Sequence, residues 1–281
     1  MLVAKPVGPT SHDVVAIVRR ALGTARIGHL GTLDPFAAGL LVLVIGPATR
    51  LAPFAAGWAK SYDGVIRLGT TTTTDDGTGA VVAASDAWRG LDRPRIAAAL
   101  AGFRGAYEQR PPAFSAVKVA GERAYRRARR GEGVALAPRR VEVRELVLED
   151  LAPPDVRFRA TVTAGTYLRS LARDVGEALG CGAHLAALTR TRVGPFRVED
   201  AVAPAAVTRD LIRDPAVLVA DLPRRELDDG ERAAVLHGRS VPDGSGTGDE
   251  GRVALFAGDQ LVAVAERVGE VLKPRVVVAE A

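Results

Sequence analysis

Asp34 is the side chain of this sequence best placed to do chemistry. It lies in Gly28-His29-Leu30-Gly31-Thr32-Leu33-Asp34-Pro35-Phe36-Ala37-Ala38-Gly39-Leu40-Leu41, where glycines punctuate the chain and a run too apolar for a surface follows. The ring of Pro35 pushes Asp34 away from helical geometry. The carboxylate is therefore expected on a held loop beside a buried element, a common position for reactive groups. On this feature alone an ordinary Asp-Pro turn is the favoured reading. Three other groups could serve a reactive carboxylate. Arg169, in Gly165-Thr166-Tyr167-Leu168-Arg169-Ser170-Leu171, falls on the first turn of a helix. Facing a buried carboxylate it would hold that group ionised and oriented, and facing water it is only a helix charge. Tyr62 opens a strand with an aromatic ring, or else is a core tyrosine with a bonded hydroxyl. His29 by default satisfies a local hydrogen bond. Spacing alone does not bring the four together.

The elements that would position them can be read from pattern. Pro9-Thr10-Ser11 opens an amphipathic helix with Val14, Val15, Ile17, Val18 and Leu22 as its apolar positions, Thr10 and Asp13 as a capping box, and Gly23 as the stop. Leu40 to Ile45 reads as a strand buried on both faces. Tyr62 to Leu68 alternates as a strand with Tyr62, Gly64, Ile66 and Leu68 on one side, and Thr70 to Gly77 reads as a polar loop. Asp92 caps a helix from Arg93 to Phe103. Ala116–Val119 reads as a short strand, and Glu122–Arg130 as an exposed helix with five arginines and no apolar stripe. Arg140–Leu148 and Val156–Val162 alternate as a strand pair, and Thr166–Leu179 is helical up to Gly180. Composition shifts near Asp221-Leu222-Pro223. Beyond it, strand-like pieces at Val253–Phe256, Leu261–Glu266 and Arg275–Val278 suggest a β-rich module of about sixty residues, near the lower size for an independent core.

Composition narrows the function classes. At 281 residues the chain has room for one large domain, or a large and a small one. One cysteine, Cys181, excludes an internal disulfide and a Cys-based zinc site, and His12, His29, His184 and His237 lack ligand spacing. The longest apolar run is far too short to cross a bilayer, and Met1-Leu2-Val3-Ala4-Lys5-Pro6 lacks the apolar stretch of a secretory signal, so none is expected. The sequence reads as cytoplasmic and metal-free. Residues 104–144 carry eleven Lys/Arg against four Asp/Glu, while 222–281 carry eight against eleven. A basic middle draws polyanions by releasing counterions, although a solvated charged helix has the same composition. The glycines of Gly244–Gly248 lack the flanking strand, helix and Lys-Ser/Thr of a phosphate loop, so a hairpin loop is expected there.

Read together, these segments resemble the TruB family of pseudouridine synthases. Lys5-Pro6-Val7-Gly8-Pro9-Thr10-Ser11-His12-Asp13-Val14-Val15 is similar to the family's first motif, and Gly28–Leu41 to the second, which holds its catalytic aspartate. Lys60-Ser61-Tyr62 through Gly79 is similar to the next block, and Arg110-Pro111-Pro112 through Tyr125 to the RNA-binding insertion. Gly165–Arg169 and Gly180–Thr191 complete the series, which spans residues 5 to about 197 in family order. Two neighbours of Asp34 depart from the pattern: Leu30 stands where Thr is frequent, and Phe36 where Leu is usual.

The resemblance implies an α+β chain: a pseudouridine synthase fold on a mixed, mainly antiparallel sheet over residues 1–220, with an insertion at about 108–140. A small PUA-like domain would follow over 221–281. It implies isomerisation of uridine 55 in the T-loop of tRNA, with Asp34 as nucleophile through either a glycal or a base adduct. Tyr62 would stack on the uracil, Arg169 would pair with Asp34, Leu188 would pack under the base, and His29 would help hold the T-loop open. Lys118, Arg123, Arg126, Arg127, Arg129 and Arg130 would grip phosphates, offsetting the cost of extruding the base. Nothing is oxidised or hydrolysed, so no cofactor is expected. The partner would be tRNA, bound by a monomer with no obligate protein subunit and no membrane. A tRNA-folding chaperone and a subunit of a guide-RNA-dependent enzyme are the rival readings. The arginine-rich insertion argues against the second.

Overall fold

Alternation along Lys60–Leu68 places Tyr62, Gly64, Ile66 and Leu68 on the buried side of a strand and Asp63 and Arg67 on the exposed side. That strand sits near the middle of a nine-stranded sheet. In this computed structural model residues 1–115, 118–119, 122–124, 127, 130, 136–244 and 251–279 are described. The strands are β1 (Leu2–Lys5), β2 (Ile27–His29), β3 (Ala38–Ile45), β4 (Lys60–Leu68), β5 (Thr70–Thr72), β6 (Val81–Ala84), β7 (Gly105–Gln109), β8 (Lys118–Val119), β9 (Glu122–Arg123), β10 (Arg139–Ala152), β11 (Asp155–Val162), β12 (Ala183–Val193) and β13 (Phe196–Arg197), followed by β14 (Arg224–Glu226), β15 (Val241–Pro242), β16 (Arg252–Ala257), β17 (Gln260–Val268) and β18 (Val271–Val277). The α-helices include α1 (Ser11–Leu22), α2 (Ala52–Ala55), α3 (Arg93–Ala101), α4 (Leu168–Ala178) and α5 (Asp229–Leu236).

The main sheet runs β1-β3-β12-β4-β11-β10-β7, with β2 on β3 and β13 on β12. Its pairings are antiparallel except β12 with β3, where Thr189 and Arg190 run parallel to Ala38 and Gly39. The sheet is thus mixed and mainly antiparallel, as expected. β12 escapes pattern reading because its burial does not alternate and a charged residue, Arg190, is among its most buried.

Hydrophobic burial explains the layers. α3 and α4 cover one face, where Ile96, Leu100, Leu171 and Val175 pack on Ile66, Val143, Leu146, Phe158 and Ala160. The opposite face of β4, β10 and β11 is wet and laced with ion pairs, including Arg67–Asp155 and Arg159–Glu149. β3 is buried on both sides: Leu41 and Leu43 lie with Val14, Val15 and Val18 of α1, whereas Leu40, Val42 and Val44 lie with Phe256, Leu261 and Val264. That double burial is why its sequence is continuously apolar.

The C-terminal sheet, ordered β14-β16-β17-β18-β15, repeats the device. Val253 and Leu255 face a cluster with Val235 of α5, and Ala254 and Phe256 join the cluster under β3. This β-rich part therefore shares a core with the main sheet, consistent with the small size that left its independence marginal.

Local expectations fare unevenly. α1 has the Thr10–Asp13 capping box and ends at Gly23 with φ +62°. α3 is capped by Asp92, which accepts from the Arg95 amide. Thr70–Thr72, expected as loop, instead pairs with Val81–Ala84. Glu122 and Arg123, expected to open a helix, pair with Lys118 and Val119 in a two-residue ladder, and Ala124 is buried although the segment reads as exposed. No helix among the described residues is long and apolar enough to cross a membrane.

Candidate active site

The Asp34 loop is built by its neighbours' hydrogen bonds. The Ser11 hydroxyl, fully buried at the start of α1, donates to the Leu33 carbonyl at 3.0 Å and accepts from the Leu33 amide at 2.9 Å. The Pro35 carbonyl accepts from the Gly8 amide and from Lys5 Nζ. From the other side, buried Arg190 donates to the carbonyls of Leu40 (2.7 Å), Gly31 (3.0 Å) and Thr32 (3.4 Å). Gly39, at φ +107°, lets β3 lie against this strand, since a Cβ there would come within 2.3 Å of the Arg190 carbonyl. Backbone carbonyls of the loop are thereby tied to the first motif and to β12, and Asp34 is presented rather than left to wander.

Arg169 stands on the first turn of α4 and is buried, with 7% of its side chain exposed against 40% for Asp34. Its Nε lies 2.9 Å from Asp34 Oδ2 and 3.7 Å from Oδ2 of Asp76. Its terminal nitrogens donate to the carbonyls of Thr74 (3.0 Å) and Phe114 (2.9 Å). A buried guanidinium so surrounded has its charge balanced and its plane held. The exposed-helix alternative for Arg169 is excluded by this burial.

Asp76 and Arg190 carry no assigned part in the sequence reading. Asp76 is buried; its Oδ1 accepts from Thr74 Oγ1 (2.8 Å), the Thr78 amide (2.9 Å) and Thr78 Oγ1 (2.5 Å). The loop holding it docks on β12 through Leu185, whose amide donates to the Asp75 carbonyl and whose carbonyl accepts from the Gly77 amide. Its local signal, the run Thr73-Thr74-Asp75-Asp76-Gly77, marks loops in general, and the resemblance of the Lys60–Gly79 block gave Asp76 no role. Asp75 beside it has φ +59° and pairs with Arg173 at 3.0 Å; burial raises its pKa against that pairing. Tyr167, immediately before α4, exchanges bonds with Gln109: its amide donates to Oε1 at 2.8 Å and its carbonyl accepts from Nε2 at 3.1 Å. Burial pushes the Tyr167 hydroxyl pKa up, with Arg139, Arg169 and Asp34 as charged neighbours.

Tyr62 is buried in the cluster that contains Leu33 and Ala37 of the Asp34 loop, and Leu188 and Phe36 pack against that same cluster. Asp34 and Arg169 pair directly, and their chain neighbours Leu33 and Leu168 belong to the cluster that holds Tyr62 and takes Leu188 against it. His29 ends β2, ahead of the loop, and its ring meets that of His12 edge to face. Burial, then the charges of His12 and Arg190, hold its pKa below the usual imidazole range. In the insertion, Lys118 and Arg123 stand on β8 and β9, and Arg130 is in a two-bond ion pair with Glu122 at 2.7 and 2.8 Å. Arg127 is half-buried. Arg126 and Arg129 lie outside the described residues.

A solvent-accessible carboxylate held by a buried arginine is a setting for nucleophilic chemistry. The model of the TruB family pseudouridylate synthase N-terminal domain matches residues 19–168. The chain belongs to the TruB pseudouridylate synthase family. A second model, of the tRNA pseudouridylate synthase B C-terminal domain, matches residues 169–218 and so takes in α4 and β12. The chain is 45% identical to tRNA pseudouridine synthase B of Thermobifida fusca, over 99% of this chain and 98% of that one. It is 42% identical to the protein of the same name from Parasynechococcus marenigrum, over 99% and 96%. Among solved structures, a Cbf5-Nop10-Gar1 complex includes a chain that is 28% identical, with a TM-score of 0.73 over 99% of this chain and 85% of that chain. An H/ACA RNP bound to a substrate RNA containing 2'-deoxyuridine matches with a TM-score of 0.71 at 26% identity, over 99% and 84%. The pseudouridine synthase fold expected from the motifs is therefore the fold of this chain.

Proposed function

We propose that the chain isomerises uridine 55 in the T-loop of tRNA to pseudouridine, with Asp34 as the nucleophile. The observation that carries this reading is the 2.9 Å pairing of Asp34 with a buried Arg169, whose chain neighbours Leu33 and Leu168 lie in the cluster that holds Tyr62 and takes Leu188 against it. The uridine is first extruded from its stack. Asp34, held in place by Arg169, promotes cleavage of the bond between N1 and the ribose. The uracil turns over between Tyr62 and Leu188 and rejoins the ribose through C5; the C5 proton leaves to water and N1 takes one up, so no proton is lost overall. One C–N bond is exchanged for one C–C bond, and no electrons are gained or lost overall. His29 holds the T-loop open around the flipped nucleotide.

Lys118, Arg123, Arg126, Arg127, Arg129 and Arg130 meet tRNA phosphates, with residues 221–281 serving as a PUA-like second RNA contact. The enzyme acts in the cytoplasm as a monomer, without a guide RNA. The higher identity to tRNA pseudouridine synthase B than to the Cbf5 chain supports this over guided action.

Tritium release from tRNA carrying 5-tritiated uridine tests the reading. The purified protein alone is expected to release tritium, and light scattering is expected to give the mass of one chain. Release only with added guide RNA would overturn the stand-alone reading, and refolding of tRNA without release would replace isomerisation by chaperoning.

A further inference from the structure

His12 is the second residue of α1, and the start of that helix is pinned by the reciprocal bonds between Thr10 and Asp13. Its side chain is exposed, so burial does not explain where it points. Yet its ring centroid lies 5.7 Å from that of His29, with the two planes at 87°. Such edge-to-face geometry is a preferred arrangement of aromatic rings. His29 Nδ1 is buried, with no hydrogen-bond partner among the described residues. A proton there would leave an N–H with no acceptor, which is rarer and costlier than a bare lone pair. The neutral ring therefore carries its proton on Nε2. The charged or titratable groups around the pair are Asp13 beside His12 on α1 and Arg190 of β12 beside His29.

We propose that His12 is a positioning residue for His29: packed edge to face, it locks the ring plane of His29 and its Nε2–H tautomer for donation to the RNA. The inference rests on the reading in which His29 holds the T-loop, and it gives His12 a part that reading leaves open.

The test compares wild-type protein with His12→Phe and His12→Ala, using 15N-histidine NMR for the His29 tautomer and single-turnover tritium release for the rate. Wild-type and His12→Phe proteins are expected to show one Nε2–H tautomer and rates within about twofold of each other, because phenylalanine keeps the edge-to-face contact. His12→Ala is expected to mix tautomers and slow release about fivefold, with tRNA affinity unchanged. A wild-type tautomer and rate in His12→Ala would overturn the proposal, as would a His12→Phe protein as slow as His12→Ala. If wild-type protein released no tritium, the functional reading would fall, while the tautomer comparison would still decide the His12–His29 coupling.

Discussion

Asp34 and Asp76 share one guanidinium. Arg169 Nε approaches Oδ2 of both, at 2.9 and 3.7 Å, yet the two carboxylates differ in surroundings. Asp76 is sealed among Thr74 and Thr78, whereas Asp34 keeps access to solvent. The buried member is fixed beside the arginine, and the accessible one keeps a face open to a ligand.

Replacing Asp34 by Asn preserves shape while removing the nucleophilic charge. Tritium release is expected to fall about a thousandfold or more, with tRNA affinity held within about threefold. Persistent release by Asp34→Asn would remove it as the nucleophile.

Asp76→Asn leaves acceptors for Thr74 and Thr78 but strips one negative charge from around Arg169. We expect a single-turnover rate lower by about 10- to 100-fold through misplacement of the Arg169–Asp34 pair. A stability loss of about 1–3 kcal/mol should accompany it, because a buried charge loses part of its compensation. Binding isotherms beside quench-flow rates separate the two effects, and a wild-type rate would mean that Asp76 does not position Arg169.

Ser11→Ala removes the hydroxyl that holds both backbone groups of Leu33. With two buried polar groups left unpaired, urea unfolding should show a loss of about 2–3 kcal/mol. The rate is expected to drop more than the affinity, because the slackened loop carries Asp34. Equal stability of the two proteins would show that water replaces the hydroxyl.

Lys60 Nζ donates to the Trp58 carbonyl, and its stem lies under Gly31 of the Asp34 loop. Burial, then the charge of Arg190, pull its pKa down to about 8. The unfolded chain therefore binds more protons between about 8 and the ordinary lysine value, and in that window Lys60 makes stability rise with pH. Below it the folded protein carries the cost of a half-buried charge. Lys60→Met is expected to stabilise by about 1 kcal/mol at pH 7, the gain being limited by solvent screening. Thermal melts from pH 7 to 10 should show that gain shrinking, and a gain that grew with pH would contradict the assignment.

Much of the scaffold around the site follows from local rules. The α1 capping box, its glycine stop and the doubly apolar β3 were legible because they depend on side chains close in sequence or on burial pattern. β12 was not legible, because a buried arginine interrupts its apolar residues and is compensated by carbonyls about 150 positions away. Asp76 was missed for the same reason: nothing within Thr73–Gly79 reveals that an arginine on α4 lies across from it.

By itself, the sequence determined the ordered motifs, the candidate nucleophile before Pro35, and the residue types able to hold it, since those depend on covalent order and local conformational preference. Only the tertiary structure decided which charges meet. It buried Arg169 against Asp34 and Asp76, set Arg190 under the loop, and turned His12 edge-on to His29. Those outcomes depend on sheet order and helix packing, which bring distant segments into a low-dielectric interior where each charge must find a partner.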